Sequence, residues 1–361
     1  MKKTGIADTP LHRGKVPLWL FQRMKRLARE IIVTIIHEFG APTLVDKVSD
    51  PYWFQAFGAA LGFDWHSSGL TTTLCGAMKE GIKGLETELG FFIAGGKGRA
   101  ALKTPDHILS YGKVINTDPH HLIQVSRMSA KVDNVALQDG YRLYHHTFFF
   151  TAEGSWCVVQ QGMNETSRYA RRYHWLGQEV TSFTNEPHHA ICTMRIEKQV
   201  LNMVARESEQ ARQGSALFSC EKPDTLIKEL NRIKRLKLPA RHHILSQGIN
   251  PDRLYKTFLK TYEAQPQDFE KLVGLKGVGP KTIRALALLS EIVYGSEASF
   301  QDPARFSFAH GGKDGHPYPV DKSSYDRSIS ILRKAVEDAK IGDRERMEAI
   351  KRLLRYINPA T

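Results

Sequence analysis

Residues 275–284 combine glycines with basic side chains in a pattern that binds phosphate groups. They read Leu275-Lys276-Gly277-Val278-Gly279-Pro280-Lys281-Thr282-Ile283-Arg284. Gly277 and Gly279 carry no Cβ atom, so the backbone can approach a ligand closely and donate its N–H groups to an anion. Lys281 and Arg284 add positive charge near a helix start, which makes better sense if a polyanion binds there. The pattern predicts phosphate contacts from Gly277, Val278, Gly279, Lys281, Thr282 and Arg284.

Two helices must position these residues. A short amphipathic helix is predicted to end at Gly274, and a longer one is predicted to begin at Pro280 and to end at Gly295. Proline suits the first turn of a helix because the N–H groups there have no intrahelical acceptor. We therefore expect two helices joined by a tight glycine hairpin.

This segment resembles the helix-hairpin-helix of DNA repair and replication proteins, and it is most similar to the form found in the DNA glycosylase superfamily. In lyase-type members, the lysine of the motif is the amine nucleophile, and an aspartate in a later Val-Asp pair completes the site. The resemblance places these roles on Lys281 and on Asp321, in Val320-Asp321. It implies a glycosylase or abasic-site lyase activity. The residues also allow Lys281 to be a phosphate contact and Asp321 to be a helix N-cap.

The charge of the chain favours an anionic partner. The 361 residues carry a formal net charge of +13, and 41% of them are hydrophobic, as in an ordinary globular protein. The Gly95-Gly96-Lys97-Gly98-Arg99 stretch lacks the Gly-Lys-Ser/Thr ending of a nucleotide-binding P-loop, so it does not support triphosphate hydrolysis. It is predicted either to contact phosphate through Gly96, Lys97 and Arg99 or to form a plain turn.

A second basic segment, residues 167–175, alternates arginines with aromatic residues. It contains Arg168, Arg171 and Arg172 together with Tyr169, Tyr173 and Trp175. Guanidinium groups bind phosphate and aromatic rings stack on unpaired bases, so the segment predicts a surface for single-stranded nucleic acid. The alternative is a packing surface rich in cation–π pairs.

A β-hairpin is predicted from residues 141–151 and 156–161, because the apolar residues there alternate with period two. It carries His145, His146, Glu153, Gln160 and Gln161, and the helix before it carries Lys131 and Asp133. Such groups could hold Mg²⁺ or Mn²⁺ in a nuclease, although no spacing identifies a metal site. No other cofactor is predicted. Histidine doublets such as His188-His189 are interpreted as surface or capping residues.

The predicted fold class is α+β and mainly helical, with a small antiparallel sheet in the N-terminal part. Residues 1–205 are predicted to form an α+β domain, 206–222 a polar linker, and 223–361 an all-α DNA-binding domain. Helices are expected to begin at four pairs of a capping residue and a proline: Asp50-Pro51, Thr104-Pro105, Asp118-Pro119 and Asn250-Pro251.

Across nearly its whole length the chain looks like the uncharacterised prokaryotic family catalogued as domain of unknown function 763. The resemblance rests on Gly5-Ile6-Ala7-Asp8, on residues 62–69 (GFDWHSSG) and on residues 309–315 (AHGGKDG). That family supplies no agreed activity. Four widely spaced cysteines and the lack of a long apolar run predict a cytoplasmic protein with no membrane partner.

The preferred hypothesis is a sequence-nonspecific DNA-binding protein acting in repair or recombination, because glycine hairpin contacts position a duplex without reading bases. One alternative is an enzyme, either a metal-dependent nuclease or a glycosylase/abasic-site lyase using Lys281 and Asp321. The other alternative is a non-catalytic nucleic-acid-binding scaffold. Both double- and single-stranded DNA remain open as partners.

Overall fold

The structure is a computed structural model that describes residues 16–63, 69–193, 195–238, 242–246, 248–304 and 322–357. Asp321 and the residues around His310 lie outside the described residues. The α-helices are α1 Leu18–Phe39, α2 Ala41–Ser49, α3 Pro51–Ala60, α4 Leu70–Gly81, α5 Glu86–Leu89, α6 Arg99–Leu102, α7 Thr104–Ser110, α8 Pro119–Lys131, α9 Glu209–Ser219, α10 Pro223–Ile233, α11 His243–Ser246, α12 Pro251–Ala264, α13 Phe269–Gly274, α14 Pro280–Tyr294, α15 Lys322–Asp338 and α16 Asp343–Ile357.

The four predicted helix starts are confirmed. Helix α3 begins at Pro51, and the Asp50 carboxylate accepts from the backbone N–H groups of Tyr52 and Trp53, at 2.7 and 3.1 Å. The Asp118 carboxylate caps α8 by accepting from one backbone N–H group, that of His120, at 2.9 Å. Helices α7 and α12 also begin at the predicted pairs. None of the helices in the described residues is long and apolar enough to cross a bilayer.

A five-stranded antiparallel sheet forms the centre of the molecule, with the strand order β1-β3-β4-β5-β6. Its strands are β1 Phe91–Lys97, β3 Arg142–Thr151, β4 Trp156–Met163, β5 Ala170–Leu176 and β6 Ala190–Cys192, and a separate ribbon pairs β2 Leu137–Gln138 with β7 Leu201–Asn202. The predicted hairpin is confirmed as β3 and β4. The α+β, mainly helical fold class is confirmed as well.

Helices cover both faces of this sheet, so successive strand residues are buried on opposite sides. On one face, Phe92, Phe148, Phe150 and Trp175 pack against α8 and the helices from α9 to α14. On the other face, Phe91 and Phe149 pack with α1 to α4 and also with α15 and α16. The first face is called the α8 face below, and the second is called the α1 face.

This layering does not follow the domain division predicted from the sequence. The core on the α8 face joins strand residues to residues 226–304, and the core on the α1 face joins α1 to Leu332 and Leu353. The predicted linker, 206–222, is wrong: most of it is α9, which packs against α14. A Cβ atom at Gly214 would overlap Ser290 Oγ. The small residues that looked like a linker therefore allow two helices to pack closely.

Helix α8 changes its hydrogen-bonding pattern at its C-terminal end. Residues Val132–Ala136 form a π-helical turn that continues directly from Lys131. Short π-helical turns are rare and are frequent at functional sites, because they re-aim the side chains next to them. Lys131 is the last residue of α8 and Asp133 lies in the turn. Their side chains contact two different parts of the molecule.

Candidate nucleic-acid interface

Residues 275–279, called the glycine turn below, join α13 to α14 as predicted. The turn is closed by a hydrogen bond of 3.3 Å from the Val278 N–H to the Leu275 carbonyl. Gly277 has φ of 103°, a conformation that side chains disfavour, so this position requires glycine. Val278 is buried and anchors the turn in the core on the α8 face.

The backbone N–H groups of Gly277 and Gly279 lie on either side of this anchor in the chain. Gly277 is exposed and Gly279 is half-buried. Within the described residues, neither N–H group donates to another protein atom. A Cβ atom on Gly279 would meet no atom of the described chain within 4 Å. Open space and unpaired donors at a helix N-terminus, here that of the 15-residue α14, are the features with which proteins bind anions.

Carbonyl groups of α13 and of the glycine turn accept hydrogen bonds from Lys131. The Lys131 ammonium donates to the carbonyls of Val273, Leu275 and Val278, at 2.8, 2.7 and 2.9 Å. These bonds use all three of its N–H groups. Burial lowers the pKa of Lys131, and the three carbonyl acceptors oppose that effect because they stabilise the charged ammonium. One positive charge, the Lys131 ammonium, thus holds the turn in place.

Further basic side chains surround the glycine turn. The Lys260 ammonium lies 3.9 Å from the position that a Cβ atom on Gly277 would take, and Lys276 and Lys281 are exposed. Arg284 is half-buried one turn into α14, and burial lowers its pKa. The result is an exposed patch in which backbone donors lie among cations, as phosphate binding requires.

Thr282 does not belong to that patch. Its side chain is buried, and its N–H group donates to the Gly279 carbonyl at 3.0 Å, inside the first turn of α14. The predicted phosphate contact from Thr282 is therefore wrong, and this residue serves the start of the helix. Val278 can contribute only through its backbone, because its side chain is buried as well.

The predicted contacts from Arg171 and Arg172 are also wrong, because β5 carries both side chains into the interior. The Arg171 guanidinium is fully buried and bonds the carboxylates of Asp139 and Asp302, at 2.9 and 2.6 Å. Burial alone would lower the pKa of Arg171, and these carboxylates raise it. Arg172 lies over the Phe54 ring at 4.7 Å. Arg168, just before the strand, is exposed.

The segment around Gly96 is the end of strand β1 and not a free loop. Gly96 pairs with His146, and Lys97 pairs with His145 in the neighbouring strand. Gly95 is required by packing, since a Cβ atom there would overlap the His146 carbonyl. Lys97 and Arg99 are exposed and remain available to a phosphate. They lie at the edge strand of the sheet and are distant from the glycine turn in the sequence.

The polar groups proposed for a nuclease site are mostly buried and bonded to one another. His146 bonds Ser126 and Gln160, at 2.8 and 2.9 Å, and Gln160 donates to Asp133 at 2.6 Å. Burial lowers the pKa of His145 to about 3, so its ring is neutral at physiological pH. The described residues contain no group of three or more His, Cys, Asp or Glu side chains that could hold a metal ion.

Two functional arrangements were not found from the sequence. Lys131 had been grouped with metal ligands, and its partners lie 142 to 147 positions away. His188 had been assigned to the surface, yet its ring bonds Asp133 and its side chain is only 6% exposed. The π-helical turn, which follows Lys131 and contains Asp133, has no recognisable signal in the local sequence.

The fold and the patch define a mainly helical α+β protein with an exposed glycine turn set among lysines. The chain belongs to the family described as Protein of unknown function (DUF763), whose model matches residues 5–320. No curated protein matches the chain, and neither does any solved structure. The likeness of the glycine turn to the helix-hairpin-helix of repair proteins stays a prediction from the sequence.

Proposed function

We propose that the protein binds DNA through the sugar-phosphate backbone at the glycine turn, without reading sequence, and that it acts in DNA repair or recombination. The observation that carries this proposal is the pair of unpartnered N–H groups at Gly277 and Gly279, which lie beside Lys260 and Lys281. Backbone and lysine donors recognise a phosphate on any base sequence. The net charge of +13 supports the same partner.

Lys131 strengthens this proposal because it fixes the turn before a ligand arrives. Three hydrogen bonds to one ammonium leave the carbonyls of the turn no freedom to rotate toward the anion. The donors are therefore already oriented, which lowers the entropy cost of binding. The positive charge of Lys131, held at the carbonyls of the turn, also attracts a phosphate.

The test is Gly279→Val, measured by fluorescence anisotropy of a labelled duplex. Gly279 has φ of −134° and ψ of −179°, an extended conformation that valine adopts readily, so the variant should fold. Its side chain would cover the anion site, and we expect affinity for every duplex sequence to fall at least about tenfold, a loss of about 1.4 kcal/mol.

Gly342→Val is the matched control. Gly342 also precedes a helix, its carbonyl accepts from the Arg346 N–H at 2.9 Å, and a Cβ atom there would meet no described atom within 4 Å. This variant should bind DNA as the unmodified protein does. Equal affinities of the Gly279 and Gly342 variants would refute the proposal.

The same oligonucleotides separate the catalytic alternatives. A lyase using Lys281 would form a borohydride-trappable adduct with abasic DNA, which Lys281→Gln would abolish. A nuclease would cut DNA only with Mg²⁺ or Mn²⁺ added. The Lys281 side chain is exposed and lacks the apolar surroundings that activate a lysine nucleophile, so we expect binding without an adduct.

A further inference from the structure

A pocket of about 300 Å³ lies apart from the glycine turn, and none of the residues of the turn lines it. Three chain segments form its walls: residues 186–191, 202–207 and 299–304. The volume is at the lower end of the range for small-molecule sites. The lining residues include the apolar Ile191, Val204 and Pro303.

His188 is the one imidazole of the wall that the interior holds in place. Its Nε2 lies 2.5 Å from Asp133 Oδ1, and its ring packs edge-on against Trp175, with ring centres 4.7 Å apart. Its side chain is 94% buried, since only 6% is exposed. The ring is therefore fixed in orientation before any ligand enters.

Asp133 sets the tautomer of that ring. Its carboxylate also accepts from Gln160 Nε2 at 2.6 Å and from Trp175 Nε1 at 3.0 Å. A carboxylate only accepts, so in the neutral imidazole the proton is on Nε2 and Nδ1 carries the lone pair. No described residue bonds Nδ1, and it is not among the fully buried unpartnered atoms. While the imidazole is neutral, the pocket thus contains a preoriented hydrogen-bond acceptor.

The charged groups of the wall are mainly acidic. Glu186 and Glu207 both line the pocket, and Glu186 also pairs with the exposed Arg206, at 3.6 Å. Asp302 also lines it, but its charge is compensated by Arg171. A negative wall repels phosphate and carboxylate ligands and attracts a cation. A pocket of this volume has room for an organic cation.

We propose that this pocket binds a small organic ammonium whose apolar body contacts Ile191 and Val204. An N–H group of the ligand donates to His188 Nδ1, and the Glu207 carboxylate balances its charge. The glycine turn is built for an anion and this pocket for a cation. The inference is therefore independent of DNA binding and goes beyond it.

Three probes of matched shape test the proposal: benzylammonium, benzoate and benzyl alcohol. Each is titrated into the full chain labelled with ¹⁵N-histidine, and the ring resonances of His188 are followed by NMR. Their assignment comes from His188→Gln, or from proximity to the Trp175 ring if that variant does not fold. We expect a saturable shift with benzylammonium, a weaker response with benzyl alcohol, and none with benzoate.

Glu207→Gln is expected to weaken benzylammonium binding about three- to fivefold, since an exposed carboxylate contributes up to about 1 kcal/mol. Glu207 is exposed, so this variant should fold. Glu88→Gln, at another exposed glutamate, is the control and should leave binding unchanged. The proposal is overturned if benzylammonium gives no saturable shift, if benzoate binds as well, or if Glu207→Gln has no effect.

Discussion

Lys131 and Asp133 are two residues apart in the chain and bind two different segments of it. The Lys131 ammonium contacts the Leu275 carbonyl at 2.7 Å, and the Asp133 carboxylate contacts His188 Nε2 at 2.5 Å. Residues two apart on a helix point in nearly opposite directions. The end of α8 therefore contacts the glycine turn through Lys131, and the π-helical turn that follows contacts the pocket residue His188 through Asp133.

Removing the ammonium of Lys131 should loosen the glycine turn. Lys131→Met keeps the apolar stem but leaves three carbonyls without their donor, and we expect the free energy of unfolding to fall by about 2–3 kcal/mol. Urea denaturation measures this loss. Lys131→Arg should recover only part of it, because a planar guanidinium cannot converge on three carbonyls as an ammonium does. Full recovery in the arginine variant would show that charge alone matters.

The lysines beside the turn should determine how strongly salt weakens DNA binding. Each phosphate contact contributes about 0.9 to the slope of log K against log salt concentration. Lys260→Ala combined with Lys281→Ala should therefore reduce the slope by about 2, and equally for unrelated duplex sequences. Lys113→Ala, at an exposed lysine outside the patch, should leave the slope as it was. An unchanged slope in the double variant would place DNA elsewhere.

Replacing Arg171 should lower the stability of the protein and leave DNA binding unchanged. Arg171→Met leaves the carboxylates of Asp139 and Asp302 buried without their counter-ion, and we expect a loss of about 3–5 kcal/mol in the free energy of unfolding. Arg168→Met, at the exposed end of the same segment, should change stability by less than about 0.5 kcal/mol. A smaller salt slope for the folded Arg171 variant would contradict its structural role.

Acid should destabilise the protein through its buried histidines. Burial lowers the pKa of His145 to about 3 and lowers the pKa values of His146 and His174. Between pH 6.5 and about 3 the unfolded chain binds protons that the folded chain does not, so the free energy of unfolding falls as pH falls.

The measurement is urea denaturation at several pH values across that window. His145→Gln should reduce the slope of stability against pH by up to about 1.4 kcal/mol per pH unit, the contribution of one proton. His120→Gln removes an exposed histidine and should leave the slope unchanged. The role assigned to His145 would be rejected if both variants kept the slope of the unmodified protein.

Features that depend on neighbouring residues could be predicted from the sequence. The caps at Asp50 and Asp118 and the glycine turn before Pro280 follow from backbone preferences within a few positions. The surroundings of Arg171 could not be predicted in this way. Its partner Asp302 is 131 positions away, and an arginine next to aromatic residues is equally compatible with a nucleic-acid surface and with a buried ion pair.

The candidate site likewise combines features that neighbouring residues predict with features that depend on distant parts of the chain. Unpaired N–H groups at Gly277 and Gly279 follow from the local motif, but Lys131, whose ammonium binds the carbonyls of the turn, comes from a different part of the chain. His188 was missed for a related reason. A histidine doublet carries no sign of which ring will meet a buried carboxylate, because that depends on how β5 and the π-helical turn pack together.

The core on the α1 face has a consequence for synthesis on the ribosome. Helices α1 to α4 emerge well before α15 and α16, which complete their packing; Lys334 pairs with Glu38 across 296 positions. Until then, the apolar side chains that α15 and α16 cover remain exposed, and exposed surface of this kind promotes aggregation. We expect nascent chains of this protein to depend on holding chaperones until α15 and α16 have emerged.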